Sequence, residues 1–280
     1  MQLRPLAIVL LLLSGSSPGA EPKVQRDLAY TEPKSERQTL DVYAPSEDKD
    51  HSIVVWIHGG GWRQGDKRAV QQKPQAFVEK GFVFVAINYR FVPQVSLKEM
   101  TGDVAKAIRW THVHAKEFGG KPDSIFVMGH SAGAHLAALV CTDDRYLRAE
   151  GLPLSIIKGC VPVDTAAYDV VQRVAGIEAA KASAGREVFG SDPATHRELS
   201  PITYAGQVKS IPPFLILHVA SRPDSTAQSK LFAKALNDAG VSATVVPAEG
   251  KTHGTINSEL GLPDDKPSKT LFEFVERQLK

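Results

Sequence analysis

The chain reads Ser124-Ile125-Phe126-Val127-Met128-Gly129-His130-Ser131-Ala132-Gly133, and continues Ala134-His135-Leu136-Ala137-Ala138-Leu139-Val140. Ser124 to Met128 is a short apolar run of the kind that forms a buried strand. Ala134 to Val140 is a helix-forming run. Between them Gly129 to Gly133 spells G-x-S-x-G, which in this setting is a sharp strand-to-helix turn that lifts the Ser131 hydroxyl above the sheet. Glycines flank the serine because a side chain there would collide with the neighbouring strand or helix. Ser131 is therefore the candidate nucleophile, set against the plainer reading of an ordinary strand–loop–helix turn.

A second motif lies upstream. Ile53-Val54-Val55-Trp56-Ile57 is strand-like and ends in His58-Gly59-Gly60-Gly61-Trp62, a loop of the H-G-G-G type that lends backbone N–H groups to an oxyanion hole. When a serine attacks a carbonyl, charge builds on the oxygen, and one well-aimed donor contributes about 3–4 kcal/mol. The expected donors are Gly60 or Gly61 and Ala132, the residue after the nucleophile. Trp62 is a candidate wall of the substrate pocket or, equally, a core anchor.

A serine needs a base, and on this kind of turn the order along the chain is Ser, then Asp or Glu, then His. Phe214 to Val219 reads as a strand whose loop holds Arg222-Pro223-Asp224. Ala243 to Val246 reads as the next strand, and its loop holds Thr252-His253-Gly254. The expected triad is Ser131, Asp224 and His253. Asp164, after Val161-Pro162-Val163, is the rival acid one strand earlier. Of the nine histidines, only His253 follows the acid loop. His58 and His130 belong to the two motifs and are expected to hold loop backbone, with His130 also beside the substrate. His135 is expected to be a satisfied buried histidine, His218 to bond locally, and His51, His112, His114 and His196 to lie at the surface.

The remaining pattern alternates strands and helices. Arg26–Tyr30, Gln38–Tyr43, Ser52–Ile57, Phe82–Asn88, Ser124–Met128, Ile157–Val163, Pro213–Val219 and Ala243–Val246 read as strands. Val70–Lys80, Leu97–Phe118, Ala132–Cys141, Thr226–Ala239 and Ser268–Leu279 read as helices. Alternation of this kind predicts an α/β fold, and continuous apolar strands predict a mostly parallel sheet covered on both faces. Ligands of such sheets bind beyond the carboxyl ends of the strands, where all the candidate residues fall. Residues 168–206 interrupt the alternation and are expected to form a small cap.

The 280 residues are 42% hydrophobic with a net charge of +2, enough apolar material for one domain. No basic cluster interleaved with aromatics points to nucleic acid. Arg4, the apolar run Leu6–Leu13 and the small residues Ser14–Ala20 have the pattern of a secretory signal peptide. Eight apolar residues are too few for a bilayer span, which needs about 20. A mature chain from residue 21, secreted or periplasmic, is the expectation. Cys141 and Cys160 are expected as buried free thiols, although export would permit a bridge. No metal-ligand spacing is present, and no cofactor is expected.

These residues carry a resemblance. His58 to Lys67, Asn88-Tyr89-Arg90, Gly129 to Leu136, Arg222 to Ser229 and Thr252-His253-Gly254 resemble α/β-hydrolases of the esterase/lipase type, over roughly residues 35–280. Within that superfamily the chain is similar to the branch of kynurenine formamidase and of acetylxylan and feruloyl esterases. The resemblance implies an α/β-hydrolase fold of about eight strands and a serine hydrolase mechanism on a small or polysaccharide-linked ester. An arylformamidase is the alternative, followed by a peptidase or a non-catalytic binding protein. Many relatives read His-Gly-x-x-Asp where this chain has His218-Val219-Ala220-Ser221-Arg222-Pro223-Asp224, so the acid expected here falls two positions later.

Overall fold

The computed structural model describes residues 21–46, 50–176 and 187–280. The proposed signal segment and residues 177–186 of the expected cap lie outside the described residues. The chain runs β1 (Lys23–Ala29), β2 (Thr39–Ala44), β3 (His51–Ile57), α1 (Lys73–Glu79), β4 (Val83–Ile87), α2 (Leu97–His114) and β5 (Gly120–His130). It continues α3 (Ala132–Thr142), α4 (Arg145–Ala149), β6 (Ile157–Val163), α5 (Val170–Ala175), α6 (Pro193–Glu198) and β7 (Phe214–Val219). The last elements are α7 (Pro223–Asp238), β8 (Ala243–Ala248), α8 (Thr255–Ser258) and α9 (Lys266–Arg277).

The strands form one sheet in the order β1-β2-β4-β3-β5-β6-β7-β8. Pairing is antiparallel for β1–β2 and β2–β4 and parallel from β4 to β8. This is the α/β-hydrolase arrangement expected from the sequence. Alternate residues of the central strands feed two apolar layers. Ile53, Val55 and Ile57 pack on one face with Val127, Leu136 and Leu139. Val54 and Trp56 pack on the other with Phe84, Phe126, Met128 and Leu217. Both faces are covered, which is why these strands read as unbroken apolar runs.

Two boundaries differ from the sequence reading, and the second matters for the site. Helix α2 ends at His114 and a 3₁₀ turn, Ala115–Phe118, finishes it, closed by Gly119 in the left-handed region at φ 69°. Helix α7 begins at Pro223, three residues before the expected start. Proline suits the first helical position because its missing N–H would have no partner there anyway. The β7–α7 connection is therefore short, and Asp224 belongs to the first turn of a helix rather than to a loop.

Candidate active site

Ser131 sits between β5 and α3 with φ 57° and ψ −116°, a strained conformation for a residue with a side chain. Neighbouring backbone holds it there. Its N–H donates to Val163 O at 2.9 Å, and its carbonyl accepts from the Ala134 and His135 N–H groups. Helix α3 can approach β3 only because position 133 lacks a side chain: a Cβ on Gly133 would stand 2.1 Å from Ile57 O.

The same strand neighbour that anchors Ser131 delivers the carboxylate. Asp164 follows β6 directly, with φ 51°, a region that aspartate visits more readily than most residues. Its N–H donates to Leu217 O at 2.7 Å. His253 lies in the turn between β8 and α8. Its Nε2 is 2.9 Å from Ser131 Oγ, and its Nδ1 is 2.6 Å from Asp164 Oδ2. Serine, histidine and carboxylate thus stand in one hydrogen-bonded line. The Asp164 side chain is fully buried, whereas that of His253 is 42% exposed and faces solvent.

This geometry corrects the acid assignment. Asp224, the residue expected from chain order, makes no contact with His253 among the described residues. Its side chain is 57% exposed and meets Arg222 at 3.4 Å. The early start of α7 turns it outward, and the place beside the imidazole is taken by Asp164. Arg222 stands at the fourth position after His218, where many relatives carry the acid. Its Nη1 donates to Asp164 Oδ2 at 2.6 Å and lies 2.7 Å from His253 Nδ1, so two donors converge on one carboxylate oxygen. The other oxygen accepts from Val219 N–H at 3.1 Å and from Ser225 Oγ–H at 2.7 Å. Burial by itself pushes the Asp164 carboxyl up. Hydrogen bonds from His253, Ser225 and Val219, with the Arg222 charge, outweigh it and hold the group well below the usual carboxylate range.

Both motif histidines hold loop backbone. His130 Nε2–H donates to the His253 carbonyl at 2.9 Å, and the two rings lie 4.5 Å apart. Burial first, and the His253 charge second, lower the His130 pKa to about 3. His58 Nδ1–H donates to Gly59 O at 2.7 Å and its ring stacks on Tyr89 at 4.4 Å. His135 Nε2–H donates to Leu199 O at 2.8 Å. His196, expected at the surface, is buried and donates to Gly190 O.

The oxyanion loop is shaped by its own turn. Gly60 has φ 130°, and a Cβ there would fall 1.9 Å from Gln64 O. Gly61, at φ 61°, faces open space. Gly59 to Gly61, Trp56, His130, Ser131 and His253 line a cavity of about 640 Å³. Ala132 begins α3, where helix N–H groups have no partner within the helix. Trp62, expected as a pocket wall or a core anchor, is a packed residue of this loop. It is buried, donates to His135 Nδ1 at 3.3 Å, and meets Phe189 edge-on at 5.0 Å. A second hollow of about 670 Å³, between Val92–Lys98 and Glu187–Leu199, is more apolar, but neither Ser131 nor His253 lines it. The reacting groups locate the site at the first cavity. Among the described residues no group of three His, Cys, Asp or Glu side chains is placed to hold a metal ion. Cys141 and Cys160 are free and buried.

A family model described as BD-FAE matches residues 40–236. A probable isoprenylcysteine alpha-carbonyl methylesterase of Arabidopsis thaliana is 30% identical over 83% of this chain and 51% of its own length. Esterase LipQ of Mycobacterium tuberculosis is 32% identical over 70% of this chain and 48% of its own length. The chain thus spans about half the length of these curated relatives. Among solved structures, the esterase Est2 of Thermogutta terrifontis superposes with a TM-score of 0.67 at 27% identity, covering 94% of this chain and 92% of that one.

Proposed function

The chain belongs to the BD-FAE family, and on that premise we propose that it is a serine-dependent carboxylic ester hydrolase acting on small acyl esters of the acetyl or feruloyl type. The observation that carries this reading is the unbroken line from Ser131 Oγ through His253 to Asp164 at the mouth of a cavity floored by Gly59 to Gly61. Neutral His253 takes the Ser131 proton at Nε2 as Oγ attacks the ester carbonyl. Asp164 accepts the Nδ1–H, fixes that tautomer and stabilises the imidazolium. The amides of Gly60 or Gly61 and of Ala132 receive the oxyanion. His253 then gives its proton to the departing alkoxide, leaving an acyl-Ser131. Water, deprotonated by the same histidine, releases the acid and restores the serine. The first 20 residues, read as an export segment, favour esters met outside the cytoplasm, such as those on plant polysaccharide.

The test is hydrolysis of p-nitrophenyl acetate, p-nitrophenyl butyrate, methyl ferulate, acetylated xylan and N-formyl-kynurenine, with Ser131→Ala as control. Turnover of the esters should fall by at least about 10⁴-fold in the variant. Turnover of the formamide alone would replace the reading with an arylformamidase, and wild-type silence on all five would refute both.

A further inference from the structure

His58 opens the oxyanion loop, and its ring sets the plane of the first peptide of that loop. The ring is buried, and desolvation lowers its pKa to about 4, so it carries a single N–H at neutral pH. Its Nδ1 is 2.7 Å from Gly59 O. A carbonyl oxygen only accepts, so the proton sits on Nδ1 and Nε2 is left as an acceptor. In the planar trans peptide from Gly59 to Gly60 the N–H points opposite to the C=O. Gly59 O turned toward the ring therefore turns the Gly60 N–H away from it. This stretch lies against the nucleophile: a Cβ on Gly59 would stand 3.1 Å from Ser131 Cβ. Among the described residues the Gly60 N–H donates to no backbone carbonyl.

Arg37 supplies the donor that Nε2 requires. It reaches the loop from the connection between β1 and β2. Its Nη2 lies 3.4 Å from His58 Nε2 and donates to Gly65 O at 3.1 Å. Gly65 closes over the same ring: a Cβ there would stand 2.3 Å from both Gly59 O and His58 Nδ1. Three further contacts fix the guanidinium. Its Nε–H donates to Tyr89 O at 3.3 Å, its Nη1–H donates to Asp66 Oδ2 at 3.4 Å, and its carbon lies 4.0 Å from the centre of the Phe91 ring. Tyr89 holds the other side, stacking on the His58 ring and donating its hydroxyl to His58 O at 2.8 Å. A guanidinium has no acceptor. The opposite tautomer would set the Nε2–H against an arginine N–H, and the Nδ1 lone pair against Gly59 O.

We propose that Arg37 is a positioning residue of the oxyanion hole: it fixes His58 as the Nδ1–H tautomer, which holds Gly59 O and so aims the Gly60 N–H at the oxyanion. Arg37 stands to His58 as Asp164 stands to His253, selecting the tautomer from the far ring nitrogen. The proposal rests on the hydrolase reading above and deepens it by naming Gly60 as the loop donor.

The experiment follows hydrolysis of p-nitrophenyl acetate, with kcat expressed per active site by titration to completion with diethyl p-nitrophenyl phosphate. In Arg37→Met that kcat should fall by about tenfold or more, because an oxyanion donor acts in the transition state, while KM stays within about twofold of wild type. Affinity for a trifluoromethyl ketone, which Ser131 Oγ converts to an oxyanion, should weaken by the same factor as kcat/KM. Arg37→Lys, which keeps a charged donor, should recover part of the loss. A merely structural role would reduce the number of titrated sites, so an unchanged kcat per site in Arg37→Met overturns the proposal. Nitrogen NMR of the histidine rings reads the tautomer in the wild type itself. His58 should carry its proton on Nδ1, and a proton on Nε2 overturns the proposal whether or not the variants fold. Wild-type silence on the whole ester panel would remove the hydrolase reading, and the proposal falls with it.

Discussion

Asp164 and Asp224 give the sharpest discrimination at the scale of single residues. Both follow parallel strands and both precede His253 in the chain. Only Asp164 reaches Nδ1, and only Asp164 is buried among four donors. Asp164→Asn should lower kcat by about 10³–10⁴-fold, since a neutral amide no longer favours the working tautomer of the histidine. Asp224→Asn should stay within about threefold of wild type, as expected for an exposed surface charge. Steady-state kinetics on one ester decides between them, and the reverse ranking would restore the order read from the sequence. The acid limb of the pH profile belongs to the same scale. Asp164 is held ionised and His130 neutral, the latter with its pKa near 3. Above pH 4, neither of these two groups changes charge. The plot of log kcat/KM against pH should fall with a slope of one there, and a slope of two would mean that a second group titrates. Ser131 and His253 were legible in the sequence because local pattern marks each: an elbow between an apolar strand and a helix, and a histidine in the last strand-end turn. The acid was not legible. Its choice depends on contacts 55 to 89 residues apart, and chain order permits either aspartate. Arg222 carries no local signal at all.

At the scale of elements, the site is a consequence of strand register. His130 pairs with Val163 and Val163 with Leu217, so the ends of β5, β6 and β7 are level. Ser131, Asp164 and the β7 turn emerge side by side. The strands themselves were readable from apolar runs, and their order follows the usual parallel crossovers. What the pattern missed was the point at which α7 begins. Pro223 had the local signature of a turn, and proline serves a turn and a first helical position equally well. The contact between α3 and β3 offers a test at this scale. A methyl group at position 133 would meet Ile57 O at 2.1 Å and His58 O at 2.5 Å, backbone atoms that cannot swing aside. Gly133→Ala should destabilise the fold by on the order of 3 kcal/mol, the upper range for overpacking. Urea unfolding should show a lower midpoint with the same m value. A midpoint equal to wild type would mean that α3 can move off β3 freely.

Across the whole molecule, the chain keeps neutral imidazoles inside it. His58, His130 and His135 are buried, and burial lowers their pKa values to about 4, about 3 and about 4. Each carries a structural hydrogen bond to a backbone carbonyl: His58 to the adjacent Gly59, His130 to His253 and His135 to Leu199. In the unfolded chain these rings titrate near the ordinary value of about 6.5. The unfolded state therefore binds more protons than the folded state between about pH 6.5 and pH 4. Stability is complete above that window and is lost as pH falls through it. Three rings acting together would give a slope approaching 4 kcal/mol per pH unit near pH 5, at about 1.4 kcal/mol for each proton. Few folded domains hold more than about 15 kcal/mol in total, so acid unfolding should be steep and should begin well above the carboxylate range. Lys73 bends the other side of the curve. It is buried at the foot of the His253 loop, where Nζ donates to Asn257 O at 2.7 Å, and desolvation lowers its pKa to about 7. Between pH 7 and about 8.5 the unfolded chain holds this proton and the folded chain gives it up, so stability should keep rising with pH. Urea midpoints taken from pH 4.5 to 8.5 test both limbs. His135→Gln should flatten the acid limb, and Lys73→Met should level the rise above pH 7 while leaving the acid limb in place. A midpoint independent of pH across the whole range would mean that these four side chains are hydrated in the folded state.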